Sequence, residues 1–326
     1  MFRGGTGMTL KEKYKGYFDI GAAVNTRTIV SHADLITREF SSVTCENEMK
    51  YNRVTADGKT YDFSDADKIV AFAKENGLII RMHTLLWHNQ TPDEIFEGAG
   101  RDELLATLKS HVQKLGDRFG KDIYVVDVAN EVIEDKGDSL YRKTKWHDIL
   151  GDSLLDDAFK FAAEYMPGVK LCYNDYNESD PVKSKKIFEL VKGLKDRGVP
   201  IHTLGLQAHW NIDVDMDNVK RAFELYSKLG VTLQVTEMDV SVYPSREAAG
   251  VEKPGAEMTY KQVKLYRDSF ALFREYKDIV DSVTTWGVAD DATWLSNFPA
   301  RGRKNWPLLF DDAHQHKEAY YAIMDF

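Results

Sequence analysis

The sequence predicts a single-domain (β/α)8 barrel, a TIM barrel, over residues 1–326, with residues 1–12 as an N-terminal extension. Strand-like and helix-like segments alternate along the chain, and eight strand candidates can be counted. Most of these candidates are continuous apolar or β-branched runs, which is typical of parallel strands covered on both faces. The candidates are residues 17–23, 41–45, 78–83, 123–129, 169–173, 202–207, 231–237 and 282–287.

Helical periodicity fills the segments between these strands. Ser64 is expected to cap a helix with an apolar stripe that includes Ile69 and Val70, and Gly77 is expected to end it. Apolar residues at three- and four-residue steps predict three further helices. Their stripes are Leu104, Leu105, Leu108, Val112, Leu115 and Phe119, then Val182, Ile187, Leu190, Val191 and Leu194, and then Val263, Tyr266, Phe270 and Phe273.

An open, doubly wound sheet is the main alternative for such an alternating chain. Sheets of that kind usually carry a glycine-rich phosphate-binding turn after the first strand. Here the first strand leads into Gly21-Ala22-Ala23-Val24-Asn25, which lacks the G-x-G-x-x-G spacing, so the barrel is favoured. The longest loop, residues 240–258, follows the seventh strand and should lie over the catalytic face.

The composition excludes several classes of partner. The formal net charge is −9, so neither nucleic acid nor an anionic membrane is an expected partner, whereas a neutral sugar is compatible. No stretch approaches the roughly 18 apolar residues of a membrane span. The two cysteines, Cys45 and Cys172, lie in predicted strands and are expected to be buried free thiols.

The N-terminal segment has no apolar region of the kind found in a signal peptide. This predicts a cytoplasmic protein. A secreted protein that lost its leader is the alternative, and Met8 is a second candidate for the natural start.

Two segments each place a glutamate at the end of a buried strand. Val128-Ala129-Asn130-Glu131 ends the fourth strand, and Val235-Thr236-Glu237-Met238-Asp239 ends the seventh. A carboxylate at the end of an apolar strand is costly to bury, so two of them suggest a shared site. Paired carboxylates are the usual machinery for cleaving a glycosidic bond.

Polar and aromatic residues recur at seven consecutive strand ends, where catalysis takes place in a barrel. Gln207 and His209 are two residues apart on the sixth, and Glu237 and Asp239 are two apart on the seventh, so each pair should share a face. A histidine between the two carboxylates would orient Glu237 and help to keep it ionised, as a nucleophile requires.

These strand ends resemble the ordered motifs of glycoside hydrolase family 10, the endo-β-1,4-xylanases, of the intracellular type. The resemblance extends from about residue 17 to the C-terminus. The motifs are Glu46-Asn47-Glu48-Met49-Lys50, His83-Thr84-Leu85-Leu86-Trp87-His88, Asp127-Val128-Ala129-Asn130-Glu131, Gln207-Ala208-His209-Trp210, Val235-Thr236-Glu237-Met238-Asp239 and Trp286-Gly287-Val288-Ala289-Asp290.

The resemblance implies a retaining double displacement without cofactor or metal. Glu131 would be the acid/base and Glu237 the nucleophile. Asn130 would bind the 2-hydroxyl of the reacting sugar, and His209 and Asp239 would support Glu237. The implied substrate is xylan or, for a cytoplasmic enzyme, xylo-oligosaccharides.

The same resemblance implies a set of substrate-binding residues. Trp286 and Trp294 would wall the reacting sugar, and Tyr173 and Asn174 would lie toward the aglycone side. The glycone subsites would be lined by Glu46, Asn47, Lys50, His83, Trp87, Gln90 and Gln207.

Three other functions remain possible from the residues. A β-1,4-glucanase of a related barrel family would share the Asn-Glu pair and the late glutamate. A barrel that only binds oligosaccharide would typically lack one carboxylate, and both are present here. A metal hydrolase is disfavoured because His83 and His88 are five residues apart and no H-E-x-x-H sequence occurs. The oligomeric state is not predicted.

Overall fold

The computed structural model describes residues 7–326, which contain a closed parallel barrel surrounded by helices. All eight predicted strands are confirmed, with ends that shift by at most four residues, and one short strand was not predicted. The strands are β1 (Asp19–Val24), β2 (Ser42–Cys45), β3 (Ile79–Met82), β4 (Ile123–Asn130), β5 (Lys170–Asp175), β6 (Thr203–Leu206), β7 (His209–Asn211), β8 (Thr232–Ser241) and β9 (Val280–Thr285).

The barrel closes because β1 pairs in parallel with both β2 and β9, and β6 pairs with β8. The extra strand β7 lies outside the ring. Ala208, with φ of 56°, interrupts the path between β6 and β7, and the chain then resumes beside β8 with His209 opposite Asp239. This bend brings the histidine and the aspartate together.

The helices flank the barrel in the order that the sequence predicts. In the described part of the chain they are α1 (Leu10–Tyr14), α2 (Thr28–Ser31), α3 (Ala33–Glu39), α4 (Tyr51–Val54), α5 (Ser64–Glu75), α6 (Arg101–Phe119), α7 (Lys145–Leu150), α8 (Leu154–Tyr165), α9 (Lys183–Asp196), α10 (Met216–Tyr226), α11 (Ala256–Glu275) and α12 (Glu318–Met324). Short 3-10 segments include Asp290–Ala292 and Trp294–Ser296 after β9.

The predicted helix boundaries were right in one detail and wrong in two. Gly77 follows α5 with φ of 66°, a conformation that favours glycine. Ser64 is the first residue of α5 and not its cap, since Phe63 occupies the cap position and no side chain caps the helix there. Val182 lies one residue before α9 and is 58% exposed, so it does not belong to the buried stripe of that helix.

The barrel interior contains charged residues as well as apolar ones. Arg81 on β3 is 1% exposed and donates from Nε to Gln234 Oε1 on β8 at 3.0 Å. Its guanidinium also forms a two-pronged ion pair with Asp127 on β4, which is fully buried. Because these three side chains come from different strands and meet inside the ring, they form a polar layer beneath the mouth of the barrel.

Part of the predicted N-terminal extension belongs to the fold. Leu10 begins α1, is fully buried, and donates its backbone N–H to Glu39 Oε2 at 3.0 Å. Residues 1–6 of that extension lie outside the described residues.

Cys45 and Cys172 are free and buried, as predicted. None of the helices described here combines the length and apolar character that a membrane span needs.

Gly21 marks the seam of the barrel, and we predict that Gly21→Ala destabilises it. A Cβ atom at this position would lie 2.7 Å from Thr284 Oγ1 and closer still to Ser42 Oγ, on the two neighbouring strands. Such overpacking should lower the free energy of unfolding by about 1–3 kcal/mol, measured by urea denaturation. Gly16→Ala is the matched control, because an exposed Cβ there meets nothing within 4 Å. Equal stability of the two variants would contradict the prediction.

Candidate active site

A cleft of about 880 Å³ opens where the barrel strands end. Both glutamates singled out in the sequence lie on its surface. The lining residues are Glu46, Asn47, Lys50, His83, Trp87, His88, Asn89, Gln90, Asn130, Glu131, Arg142, Tyr176, Gln207, His209, Glu237, Trp286, Trp294 and Phe298.

Glu237 is the more buried of the two glutamates, with 4% of its surface exposed. Asn174 Nδ2 donates to its Oε1 at 2.7 Å, and His209 Nε2 lies 3.1 Å from its Oε2. His83 Nδ1 lies 4.0 Å from Oε1. Burial opposes ionisation, but the charge of His83 and the hydrogen bond from His209 outweigh it and lower the pKa of Glu237. This carboxylate is therefore kept ionised although its side chain is almost fully buried.

His209 is held between two carboxylates. Its Nδ1 lies 3.0 Å from Asp239 Oδ2, and that oxygen also accepts a hydrogen bond from Trp294 Nε1 at 2.8 Å. Burial favours the neutral ring, but the charges and hydrogen bonds of Asp239 and Glu237 outweigh it and raise the pKa of His209 to about 10. His209 consequently carries a positive charge at neutral pH and donates to both carboxylates.

A second series of polar side chains links the barrel interior to Glu237. His83 Nδ1 lies 2.8 Å from Asp127 Oδ2, and the Arg81 guanidinium donates to the same carboxylate. Burial of Asp127 opposes its ionisation, but the charge of Arg81 and the hydrogen bond of His83 lower its pKa. The polar layer inside the barrel thus extends up to the cleft through His83.

Glu131 is only partly buried and is fixed at both its backbone and its side chain. Its φ is 55°, a left-handed conformation, in which its N–H donates to Asn174 O at 3.0 Å and its carbonyl accepts from Arg142 Nε at 3.2 Å. Trp87 Nε1 donates to Oε2 at 2.8 Å, and Gln207 Nε2 donates to Oε1 at 3.0 Å. These contacts aim the carboxyl group into the cleft.

Asn130 connects the two glutamates, and its amide nitrogen is free to donate. Its Oδ1 accepts from Asn174 Nδ2 at 3.0 Å and from Gln207 Nε2 at 3.1 Å. Its Nδ2 is buried and finds no acceptor among residues 7–326. A buried N–H group without a partner costs free energy, so this amide is suited to donate to a hydroxyl of a bound ligand.

Aromatic rings wall the cleft beside His209. The ring of Trp294 lies 5.0 Å from that of His209, and Trp286 meets His83 edge-on at 5.4 Å. Phe298 stacks on Trp294 at 5.0 Å with its exposed face toward solvent. Flat apolar faces of this kind can pack against sugar rings.

Polar residues from the loop after β2 also line the cleft. Lys50 is almost fully buried, and its Nζ donates to Asn47 Oδ1 at 3.0 Å and lies 5.1 Å from the Trp87 ring. Glu46 Oε2 accepts from Asn25 Nδ2 at 2.8 Å, and burial raises the pKa of Glu46. This part of the cleft offers both donors and acceptors to hydroxyl groups.

Residues 9–326 match the model of glycosyl hydrolase family 10. The chain belongs to this family. It is 46% identical to endo-1,4-beta-xylanase B of Paenibacillus barcinonensis, with 97% of each chain covered, and 44% identical to a beta-1,4-xylanase of Dictyoglomus thermophilum, with 98% of this chain and 91% of the relative covered. The crystal structure of the Paenibacillus barcinonensis xylanase XynB, bound to a conduramine derivative, superimposes with a TM-score of 0.95 and coverages of 98% and 99%.

Most of the residues predicted for the family 10 site come together in the structure, and their individual roles stay predictions. Asp239 lies behind the surface of the cleft, where it contacts His209 and Trp294. The lining includes the predicted catalytic residues Glu131 and Glu237 and the predicted supporting residues Asn130 and His209. It also includes the predicted binding residues Glu46, Asn47, Lys50, His83, Trp87, Gln90, Gln207, Trp286 and Trp294.

Tyr173 and Asn174, which were predicted to bind substrate toward the aglycone side, do not reach the surface of the cleft. Both are fully buried, so neither can touch a bound sugar. The Tyr173 hydroxyl donates to Asp175, and Asn174 holds Glu237 and Asn130 from behind while its Oδ1 accepts from Thr236. We therefore predict that Asn174 positions Glu237 from behind and does not contact substrate.

Several residues of the site were not predicted. Arg142, Tyr176 and Phe298 lie on loops between elements, where periodicity carries no information, although Tyr176 follows the β5 strand end closely. His88 belongs to one of the family motifs but had no predicted role, and Asn89 directly follows that motif. The long loop after β8 was expected over the catalytic face, but none of its residues lines the cleft. Instead, this loop is held by Arg303, whose guanidinium donates to the carbonyl groups of Arg246 and Ala248.

Asp239→Asn should shift the acidic limb of kcat/KM to higher pH. Without the Asp239 carboxylate, His209 holds its proton less tightly, so the pKa of Glu237 rises and more of this residue is protonated at a given pH. The pH profile for hydrolysis of an aryl β-glycoside measures the shift, and proton NMR of the His209 ring should show its pKa falling from about 10. Asp152→Asn, which removes the exposed partner of His147, is the control. An unmoved acidic limb would refute this electrostatic coupling.

Asn174→Ala should lower kcat about 10- to 100-fold and leave KM nearly unchanged. The substitution removes one hydrogen bond to an ionised carboxylate, worth about 1.5–3 kcal/mol, from a residue without exposed surface. Steady-state kinetics test this, with Tyr173→Phe as the control for a change in the buried end of β5. A large increase in KM at unchanged kcat would restore Asn174 as a substrate-binding residue.

Proposed function

We propose that this protein is a retaining endo-1,4-β-xylanase, which hydrolyses internal β-1,4-xylosidic bonds of xylan or xylo-oligosaccharides. One observation carries the proposal: two carboxyl groups share one cleft but have opposite environments. Glu237 is buried and held ionised by His209 and Asn174, whereas Glu131 is more exposed and projects from a strained strand end. Unequal carboxyl groups of this kind can take the two roles of a double displacement.

In the first step, Glu237 attacks the anomeric carbon while Glu131 protonates the departing oxygen. Asn130 Nδ2 donates to the hydroxyl beside the reacting carbon, which gives this buried N–H group its partner. The contacts of Glu131 with Trp87 and Gln207 restrict its movement, so the proton is delivered at a fixed position.

In the second step, Glu131 acts as a base and activates water to release the sugar from Glu237. Formation of the glycosyl-enzyme removes the negative charge of Glu237, and the His209 cation would then lose one of its two carboxylate partners. Asp239 remains beside it at 3.0 Å and keeps the cation balanced. The Asp239–His209 pair therefore supports the site in both steps of the reaction.

The preference for xylose over glucose follows from the aromatic wall. Xylose lacks the hydroxymethyl group that glucose carries at C5, and bulky rings such as Trp286 and Trp294 leave little room for it. The relatives named above are xylanases, and a mutant protein of 42% identity, with a TM-score of 0.96 and coverages of 98% and 100%, was solved with xylotriose. An open cleft of about 880 Å³ accommodates several sugar units.

The assignment of roles is tested by azide rescue on an aryl β-xylobioside. We expect Glu237→Ala to lose turnover, and Glu131→Ala with azide to give the β-azide product, because the glycosyl-enzyme still forms and azide then needs no base. Proton NMR identifies the anomer. A β-azide product from Glu237→Ala but not from Glu131→Ala would reverse the roles.

The sugar preference is tested with the wild-type enzyme. Faster hydrolysis of an aryl β-cellobioside than of the aryl β-xylobioside would favour a glucanase instead.

A further inference from the structure

We propose that His32, Asp291 and His314 form a binding site for a divalent transition-metal ion such as Zn²⁺, separate from the cleft. His32 Nε2 lies 3.0 Å and His314 Nε2 lies 3.7 Å from the same oxygen, Asp291 Oδ1. All three ligand atoms lie within 4.8 Å of one another. In a tetrahedral zinc site, bond lengths of about 2.0–2.2 Å place ligand atoms about 3.4 Å apart, and the observed distances bracket this value.

Three separate parts of the chain supply the ligands. His32 lies between α2 and α3, Asp291 lies in the 3-10 turn after β9, and His314 lies in the turn before α12. His32 and Asp291 are 259 residues apart, so no local motif exists and the sequence predicted no metal site. The two imidazole rings lie 4.1 Å apart at an angle of 37°, and both place Nε2 beside the same oxygen of Asp291.

Buried hydrogen bonds hold the two C-terminal segments in this arrangement. Asp290, next to Asp291, is fully buried and pairs with Lys317 at 2.7 Å. The N–H of Asp290 donates to Phe310 O at 3.0 Å. The position of Asp291 relative to the turn that carries His314 is therefore set before any ion binds, which reduces the entropy cost of binding.

Ser31 orients the buried ligand. Its Oγ lies 2.7 Å from His32 Nδ1 and also donates to Arg27 O at 3.2 Å. When Nδ1 carries the proton and donates to Ser31, Nε2 presents its lone pair to the ion. Metal-binding histidines in proteins commonly have such a second partner on the other nitrogen.

The donor set selects the type of ion. Two imidazole nitrogens and one carboxylate oxygen suit Zn²⁺ and similar transition metals, whereas Mg²⁺ and Ca²⁺ prefer oxygen ligands. His32 is 3% exposed, but the side chains of Asp291 and His314 are 36% and 31% exposed. An ion can therefore enter from solvent and keep water as its fourth ligand.

A bound ion would connect the segment after β1 with both segments that follow β9. Asp291 lies three residues before Trp294, which walls the cleft. The expected effect is therefore on stability, with catalysis left to the two glutamates. In this respect the site resembles a structural zinc site more than a catalytic one.

The experiment uses the full-length protein after treatment with a chelator. Zn²⁺ at about 100 times its dissociation constant should raise Tm by about 4 °C in differential scanning calorimetry, whereas Mg²⁺ and Ca²⁺ should not. Isothermal titration should give one site per chain, and Co²⁺ should produce visible d–d absorption. Absence of Zn²⁺ binding to the wild-type protein in the titration would overturn the proposal.

Variants separate this site from other places where zinc could bind. His314→Asn removes one ligand and retains a residue that tolerates the left-handed backbone found there, with φ of 60°. The His314→Asn and Asp291→Asn variants should show neither the Tm shift with Zn²⁺ nor the d–d absorption with Co²⁺. His147→Asn, in another His–Asp pair at the surface, and Glu131→Gln, in the cleft, should keep both. Retention of the full shift by His314→Asn, or its loss in Glu131→Gln, would assign the ion to a different site.

Discussion

The polar contacts at the mouth of the barrel depend on one constraint, which is that Glu237 must stay ionised although it is almost fully buried. Burial alone would neutralise this carboxyl group. His83 and His209 oppose that effect, and each of them is paired in turn with a buried aspartate, Asp127 or Asp239. Acidic and basic side chains thus alternate across the mouth of the barrel, and removing one of them leaves its neighbour without a partner where an unpaired charge is costly.

The alternating charges depend on the strands that carry them. His209 reaches Asp239 because Ala208 adopts a left-handed conformation and starts a short strand beside β8. Asp127 lies on β4, three residues before Asn130, so one strand carries the buried aspartate and leads directly into the partly buried Glu131. The barrel therefore places partners from distant parts of the sequence within hydrogen-bonding distance, and the loops need only complete the cleft.

The fold and the central site could be predicted because strands end where polar residues begin. That rule failed at Tyr173 and Asn174, since β5 continues to Asp175 and leaves both residues inside the barrel wall. Sequence pattern cannot show how far a strand extends once polar side chains find partners within it. Loop residues such as Arg142 and Phe298 were missed because their position depends on tertiary contacts and not on a periodic pattern.

Closure of the barrel has a consequence for how the chain folds. The seam between β1 and β9 pairs Gly21 with Thr284, residues from nearly opposite ends of the chain. Contacts between such distant residues form slowly because the entropy of a long loop must be lost first. During synthesis, β1 is made early and its outer edge stays unpaired until β9 emerges from the ribosome. For most of that time the growing sheet has two open edges that can pair with other chains, and only the last strand removes them.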